Sequence, residues 1–302
     1  MDKTDIILVM YLLINSRMSN RELAERLNLS VNAVHKRIQT LIELGVIRKF
    51  TAKLSLFKLG GVIIQIFGVS TALTIETLPE KISKNNCVYW VALAGGNYLY
   101  IGAYLRNLSD LESFVDFIKT EAKIPNPIVG IVSSPFTGHD IPVPAHDVSL
   151  TPLDHKIIHS LHDDSRKAIS DIAEELGMSA KTIRRRLSNM MEHHLIDLSL
   201  EWYPDASNDI MTVLHLHLKP TIEKKSIPQV LGKYMPNLLF YWLFSDLPNE
   251  LMAIVWTNTM KELKEIQERL VKENMFESII PNILYVGYLF ETWRDEYNPH
   301  VK

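Results

Sequence analysis

The sequence predicts an α+β protein made of two copies of one module, in which three helices precede a βαββαβ domain. Two observations predict this class. Residues 5–48 align with residues 154–197 without a gap, at a constant offset of 149, and eleven of the aligned positions are identical. Downstream, Tyr89-Trp90 aligns with Tyr241-Trp242 at an offset of 152. Two matches in the same order indicate an internal duplication of the whole module.

Apolar periodicity predicts the three helices of each copy, over 4–15, 19–27 and 30–44, and over 152–163, 168–176 and 179–193. Ser19 and Glu22 predict a capping box at the start of the second helix. The turn before the third helix needs a residue at positive φ, which Asn28 supplies in the first copy and Gly177 in the second. This arrangement predicts a helix-turn-helix in each copy.

The third helix of each copy carries the residues predicted to read DNA. They are Ser30, Asn32, His35, Lys36, Arg37 and Gln39 in the first copy, and Ser179, Lys181, Thr182, Arg184, Arg185, Arg186, Ser188 and Asn189 in the second. Ser30 and Ser179 also stand where the helix needs an N-cap. In a major groove, Arg or Lys pairs with guanine and Asn or Gln with adenine, while hydroxyl groups and other cations hold phosphates. A solvated helix face is the alternative, but the position after a tight turn favours DNA contact.

The pattern then changes to strands and helices in the order βαββαβ, which is ferredoxin-like. Strands are predicted at 61–69, 87–93, 97–105 and 128–134, and at 211–219, 238–245, 250–256 and 282–290, with helices near 76–84, 109–121, 222–234 and 260–274. The central strands are apolar on both faces, whereas the helices can cover only one. The second face is therefore predicted to meet another sheet, either within the chain as a pseudo-dimer or in a homodimer.

Five segments follow from these patterns. The stretch 135–152 contains four prolines and no periodicity, so it is predicted to link the copies. The predicted domains are a winged helix-turn-helix at 1–50, a ferredoxin-like regulatory and dimerisation domain at 51–134, a second winged helix-turn-helix at 153–200 and a second ferredoxin-like domain at 201–302. The wings would come from residues 46–57 and 195–203, which alternate loosely in polarity.

The composition restricts the location and the mode of binding. With 22% charged residues and a formal net charge of −3, the chain is not basic as a whole, so binding to nucleic acid needs locally concentrated charge. The single cysteine, Cys87, excludes an intrachain disulfide and is typical of a reducing compartment. The apolar run 6–14 is too short to span a membrane and lacks the features of a signal peptide. A cytoplasmic protein without a membrane partner is therefore predicted.

Two stretches carry a resemblance to a known family: Asn20 to Ser30 (NRELAERLNLS) and Ser170 to Ser179 (SDIAEELGMS). Together with Leu44-Gly45-Val46-Ile47 after the third helix, they resemble the Lrp/AsnC (feast/famine) regulators of bacteria and archaea. The resemblance covers nearly the whole chain, twice. It implies a winged helix-turn-helix joined to a βαββαβ domain of the RAM/ACT-like kind, dimerisation through the sheets, binding of double-stranded DNA, and regulation of transcription.

The resemblance also implies a small-molecule effector, often an amino acid, near the loop between the second and third strands. The candidate effector-binding residues there are Gly95, Gly96 and Asn97 in the first copy and Asp246 and Asn249 in the second. Family members commonly have a Gly, an aromatic residue and an Asp in this loop, and the first copy lacks the Asp.

Two functional alternatives remain beside the regulator. Siroheme decarboxylases share this paired architecture and are expected to place His and Arg around the tetrapyrrole near the start of the second strand. Here those segments read NNCVYW at 85–90 and NLLFYW at 237–242, without His or Arg. The other alternative is an assembly protein whose helix-turn-helix is structural. The sequence predicts no catalytic site, cofactor or metal site, and His155, His159, His162, His215 and His217 are interpreted as structural or solvated.

Overall fold

A computed structural model describes residues 1–136 and 149–296 of the chain. The elements of the first copy are α1 (Lys3–Ile14), α2 (Asn20–Leu27), α3 (Val31–Glu43), β1 (Ile47–Leu54), β2 (Val62–Val69), α4 (Leu78–Ile82), β3 (Val88–Ala94), β4 (Tyr98–Leu105), α5 (Leu111–Glu121) and β5 (Ile128–Phe136). Those of the second are α6 (Pro152–Leu161), α7 (Ile169–Glu175), α8 (Ala180–Glu192), β6 (Ile196–Trp202), β7 (Ile210–Leu218), α9 (Ile227–Gly232), β8 (Leu238–Phe244), β9 (Glu250–Thr257), α10 (Met260–Lys272) and β10 (Phe276–Leu289). The predicted α+β class is confirmed.

The described residues group into two compact units, each of which contains a part of both copies. Among the described residues, the helix-turn-helix unit draws on 2–61, 149–203 and 292–296, and the barrel unit on residue 1, 62–136 and 204–291. The helix-turn-helix parts of the two copies are thus in one unit, and the two βαββαβ parts are in the other. Residues 292–296 group with the helix-turn-helix unit, which differs from the predicted second ferredoxin-like domain at 201–302. Of the predicted linker at 135–152, residues 137–148 lie outside the described residues.

Local sequence signals explain how α3 and α8 begin. These are the third helices of the two copies, which carry the residues predicted to contact DNA, and they are called the reading helices below. The Ser30 hydroxyl accepts a hydrogen bond from the backbone N of Ala33 at 3.1 Å, as an N-cap does. The turn residues Asn28 and Gly177 have φ values of 53° and 62°, which confirms the predicted positive φ in both copies. Of the two hydrogen bonds in the predicted capping box of α2, the structure contains the one from the Glu22 backbone to the Ser19 side chain but not the return bond from the Glu22 carboxylate. Ser19 caps the helix, but the Glu22 carboxylate pairs with Arg26 at 3.0 Å.

The strands that follow the reading helices pair with each other across the copies. β1 and β6 form a two-stranded antiparallel sheet. The structure therefore contains the strands predicted for the wings, but each finds its partner in the other copy. This pairing satisfies backbone groups that an isolated strand would leave exposed to water.

The barrel unit is a closed eight-stranded barrel with the strand order β10-β3-β4-β2-β5-β8-β9-β7. Each copy contributes four adjacent strands, and the two sheets join where β5 pairs with β8 and β10 pairs with β3. The last strand begins at Phe276, six residues before the predicted start, because it pairs first with β7 of its own sheet and then with β3 of the other. Closure leaves no free sheet edge.

One face of each sheet packs against its helices, and the other faces the barrel interior. In the first copy, Phe114 and Ile118 of α5 pack on alternate strand residues such as Ile64, Ile66 and Ile101. The corresponding core of the second copy contains Leu263, Ile266 and Leu270 of α10. The predicted need for a second sheet is therefore met within one chain, and association of two chains stays a prediction.

Aromatic rings fill the space between the two sheets. Trp90 stacks on Trp242 with ring centroids 6.2 Å apart, so two residues that align in the duplication meet each other. Phe67 lies 5.2 Å from the ring of His215, measured between centroids, and the Tyr100 hydroxyl is 2.7 Å from His215 Nε2. Burial lowers the pKa of His215 to about 4, so this imidazole is neutral at ordinary pH. The rings therefore act as the core of an intrachain interface.

No helix in the described ranges is both long and apolar enough to cross a membrane.

Candidate nucleic-acid interface

The register of β1 and β6 places the two helix-turn-helix copies about an approximate two-fold axis. Phe50 pairs with Leu200, and Thr51 pairs with Ser199. At the offset of 149, Phe50 corresponds to Ser199 and Thr51 to Leu200. Phe50 is therefore paired with the counterpart of Thr51, and Thr51 with the counterpart of Phe50. This reciprocal pairing is what a two-fold axis between two antiparallel strands produces.

Identical residues meet across the same axis. The hydroxyl oxygens of Ser16 and Ser165, which correspond in the duplication, are 2.6 Å apart and fully buried. Arg17 Nη1 donates to the carbonyl oxygens of Ser165 at 2.6 Å and Lys167 at 2.9 Å. Reciprocally, Arg166 Nη1 donates to the carbonyl oxygens of Ser16 at 2.7 Å and Met18 at 3.2 Å. The contact is isologous, as in a two-fold dimer, although one chain supplies both sides.

Ser16 and Arg17 are identical to Ser165 and Arg166 at the offset of 149, but the sequence alone assigns these residues no role. Burial lowers the pKa of Arg17, and the nearby Arg166 adds to the effect. Burial also lowers the pKa of Arg166. Both guanidinium groups are engaged with backbone carbonyls, so they hold the two copies together. The signal that would have found them is a pair of identical polar residues outside the reading helix.

One predicted DNA contact in each copy already has an internal partner. Arg37 Nη1 lies 2.6 Å from Asp5 Oδ1 and 2.9 Å from Asp2 Oδ2. Arg186 Nε donates to Asp154 Oδ1 at 2.7 Å, and its Nη2 pairs with the other carboxylate oxygen. These ion pairs fix each reading helix on the first helix of its copy. Arg37 and Arg186 therefore have structural roles, and the DNA contacts that we propose do not include them.

The remaining predicted residues divide by exposure. The exposed side chains are Asn32, His35, Lys36 and Gln39 on α3, and Lys181, Arg184, Arg185 and Ser188 on α8. Thr182 and Asn189 are half-buried, and the Thr182 hydroxyl is 2.9 Å from Ser179 Oγ. Ser30 and Ser179 serve as N-caps through their hydroxyl groups. Each reading helix therefore presents four of the predicted DNA-contact residues as exposed side chains.

A C-terminal strap, residues 292–296, packs on the helix-turn-helix unit. Arg294 is buried, and its guanidinium donates to the carbonyl oxygen of Leu54 and pairs with Asp197. Asp295 Oδ1 lies 2.6 Å from Lys53 Nζ and 3.1 Å from His162 Nε2. The hydrogen bond that His162 donates to the Asp295 carboxylate raises the pKa of His162 against the effect of burial. Asp163 also raises this pKa, and the nearby charge of Lys49 lowers it. The strap thus closes an ionic cluster around β1, β6 and α6.

This cluster predicts a pH-dependent stability. Because the folded pKa of His162 is above its ordinary value of 6.5, its contribution is present below pH 6.5 and is lost as pH rises through the folded pKa. We expect His162→Gln to lower the unfolding free energy of this unit by up to about 1 kcal/mol at about pH 5.5, and by less at about pH 8.5. Amide exchange of β1 and β6 at both pH values measures it. The control is His159→Gln, which changes an exposed histidine in the last turn of α6, and an equal loss from His162→Gln at both pH values would contradict the assignment.

Two of the candidate effector residues, Asn97 and Asp246, use their side chains in structural hydrogen bonds. In the first copy, Gly95 to Asn97 form a tight turn in which Gly96 and Asn97 have positive φ, and Asn97 Nδ2 donates to the carbonyl oxygen of Ala72 at 3.1 Å. In the second, Asp246 Oδ1 accepts from the backbone N of Ile131 at 2.8 Å, and the Asn249 carbonyl accepts from Leu218. Asp246 also borders an open groove of about 610 Å³ beside α5, whose other lining residues are Leu108, Ser109, Leu111, Glu112, Val115, Asp116, Lys119 and Val129.

In the described part of the chain, no three His, Cys, Asp or Glu residues are grouped so that they could hold a metal ion. Cys87 is half-buried, and burial raises the pKa of its thiol.

Two family models match the helix-turn-helix parts of the two copies. Residues 1–48 match a winged helix-turn-helix DNA-binding model, and residues 150–191 match the AsnC-type helix-turn-helix domain. An uncharacterized HTH-type transcriptional regulator of Pyrococcus furiosus is 34% identical over 119 residues, which cover 38% of this chain and 78% of the relative. The HTH-type transcriptional regulator LrpA of Pyrococcus horikoshii is 28% identical over 116 residues, which cover 38% of this chain and 82% of LrpA.

A solved structure extends the similarity to the full duplicated chain. The siroheme decarboxylase NirDL superposes with a TM-score of 0.62 over 97% of this chain and 95% of its own, at 14% identity. The same enzyme in complex with an iron-uroporphyrin III analogue gives a TM-score of 0.60 at 14% identity and covers 95% of this chain and 92% of that one. At this identity, the comparison shows a shared fold.

The duplication, the capped reading helices and the closed barrel define the class: a helix-turn-helix protein in which one chain contains both halves of a dimer-like assembly. Within that class, the two helix-turn-helix matches and the Pyrococcus relatives identify the family. The chain belongs to the Lrp/AsnC family, with the family module present twice.

Proposed function

We propose that this chain is a sequence-specific regulator of transcription that binds double-stranded DNA with both of its reading helices. The observation that carries the proposal is the approximate two-fold axis between α3 and α8, marked by the buried contact of Ser16 with Ser165. Two-fold-related reading helices match the symmetry of successive major grooves on one side of a duplex, about 10 base pairs apart. A single chain therefore supplies what a pair of one-module subunits would otherwise supply.

The chemistry of the exposed faces supports the same proposal. Lys181, Arg184 and Arg185 concentrate positive charge on one helix of a chain whose formal net charge is −3. Local cations of this kind hold phosphates and release counterions, so binding should weaken steeply with salt. Because Arg37 and Arg186 fix the helices by ion pairs, the exposed residues project from a rigid support.

The experiment that tests this function is selection of bound sequences from random duplex DNA with the purified full chain, followed by binding titrations at several salt concentrations. We expect a defined sequence to be enriched, and its affinity to fall linearly with salt on logarithmic axes. An effector is not required for this expectation, since Asn97 and Asp246 already make structural hydrogen bonds. If no sequence is enriched from the random pool, the proposed function is refuted.

A second candidate, a tetrapyrrole enzyme, is favoured by the fold that this chain shares with NirDL over nearly its whole length. The barrel of this chain supports the regulator instead. None of the eight barrel strands contains Lys or Arg, the side chains that pair with the carboxylates of a siroheme-like tetrapyrrole. A side chain on Gly102 or Gly130 would collide with the ring of Tyr89 or Phe244, so aromatic rings occupy the space between the sheets. Titration of the chain with iron-uroporphyrin separates the two candidates. A tetrapyrrole enzyme would bind the compound and shift the absorption band of the iron-uroporphyrin, whereas the regulator would leave that band unchanged.

A further inference from the structure

We infer that the two reading helices have different base preferences: α8 takes a half-site rich in G·C pairs, and α3 takes one that contains A·T pairs. The DNA site of this chain is then non-palindromic and is bound in one orientation. The inference rests on the proposed function and adds the chemical class of each half-site.

Corresponding positions on the two helices carry different chemistry. At the offset of 149, the exposed residues of α3 and α8 correspond as Asn32 with Lys181, His35 with Arg184, Lys36 with Arg185, and Gln39 with Ser188. Because the two-fold axis relates the helices, corresponding positions would meet corresponding places in the two half-sites. Differences between the faces therefore become differences between the bases that are read.

The base edges determine which half-site each face fits. Arg184 and Arg185 present guanidinium forks, which donate two hydrogen bonds to O6 and N7 of guanine. Asn32 and Gln39 carry amides, which donate to N7 and accept from N6 of adenine. All four side chains are exposed, so they are available to the grooves without a rearrangement of the helix-turn-helix unit.

The buried contacts at the two-fold axis keep the two different reading helices of one chain paired with each other. Arg17 and Arg166 tie each copy to backbone carbonyls of the other, so the chain carries one α3 and one α8 in a fixed pair. Subunits with one module each can pair two equal helices, which read a palindrome. This chain pairs two unequal helices, and each wrongly placed base pair would weaken binding roughly 5- to 150-fold.

The test divides the selected duplex at its centre into the half read by α3 and the half read by α8. Three duplexes are compared: the selected order, two copies of the first half, and two copies of the second. We expect the selected order to bind about 10- to 100-fold more tightly than either symmetric duplex. Tightest binding to a symmetric duplex would overturn the inference.

A graft of the α8 face onto α3 tests the assignment of the halves. The variant Asn32→Lys, His35→Arg, Lys36→Arg, Gln39→Ser should prefer the duplex with two copies of the G·C-rich half. The reverse graft, with Lys181→Asn, Arg184→His, Arg185→Lys and Ser188→Gln, should prefer the other symmetric duplex, which keeps the test valid if one graft does not fold. Unchanged preferences in folded grafts would overturn the inference. Loss of all sequence-dependent binding by the unmodified chain would instead refute the proposed function.

Discussion

Replacing Arg184 and Arg185 by alanine is expected to lower the affinity of the chain for its selected duplex by about 2–5 kcal/mol, which is roughly 30- to 5,000-fold. The two side chains are exposed neighbours on α8, and each can reach a guanine edge or a phosphate. For each phosphate contact that is lost, the salt dependence should become shallower by about one unit of slope. Titrations of the duplex at several salt concentrations measure both quantities.

Two matched variants show whether the loss is specific to the reading helix. Lys261→Ala/Lys264→Ala removes the same amount of charge from two highly exposed lysines of α10 in the barrel unit, and we expect little change in affinity. His35→Ala/Lys36→Ala changes the corresponding positions of α3 and removes less charge, so a smaller loss is expected. An equal loss from the lysine pair of the barrel unit would mean that net charge, and not the α8 face, determines binding.

Replacing Arg17 by alanine is expected to destabilise the helix-turn-helix unit by about 2–4 kcal/mol, because charge-assisted hydrogen bonds to two carbonyl groups are lost. Those bonds run to Ser165 and Lys167 of the other copy. Arg166→Ala should have a similar effect, since its contacts are reciprocal. Amide exchange of β1 and β6 measures the loss locally, because a denaturation curve would combine two compact units.

The control for these substitutions is Arg21→Ala. Its side chain is 84% exposed and pairs with Glu25 on the same helix, so we expect a change within about 0.5 kcal/mol. Arg17→Lys keeps the charge but not the fork of donors, and should recover only a part of the loss. Wild-type protection of β1 and β6 in Arg17→Ala would show that the contacts across the axis do not stabilise the pair.

The sequence predicts the module far better than it predicts the pairing of the modules. Asn28 and Gly177 are local signals for a left-handed turn residue, and the structure confirms both. Strand and helix order likewise follows from periodicity within each segment. The start of β10 could not be read in this way, because it depends on the partner strands β7 and β3. Pairing of β1 with β6 is also a long-range contact that no local pattern contains.

The predicted site divides in the same way. Exposure of Lys181, Arg184 and Arg185 follows from helical spacing, which is a property of one segment. The internal roles of Arg37 and Arg186 do not, since each depends on carboxylates of another helix that folding brings within ion-pair distance. The identity of Arg17 with Arg166 was visible as a match between the copies. The role of these two arginines depends on the two-fold axis, across which each one binds backbone carbonyls of the other copy.

If one chain supplies both reading helices to a single duplex, the complex contains one chain for each duplex, and its stoichiometry can be measured. The measurement is the mass of the complex between the full chain and its selected duplex, determined by native mass spectrometry or sedimentation at saturating protein. We expect one chain on one non-palindromic duplex, with α3 and α8 in successive major grooves. Two chains on a palindromic duplex, each using the same reading helix, would contradict it.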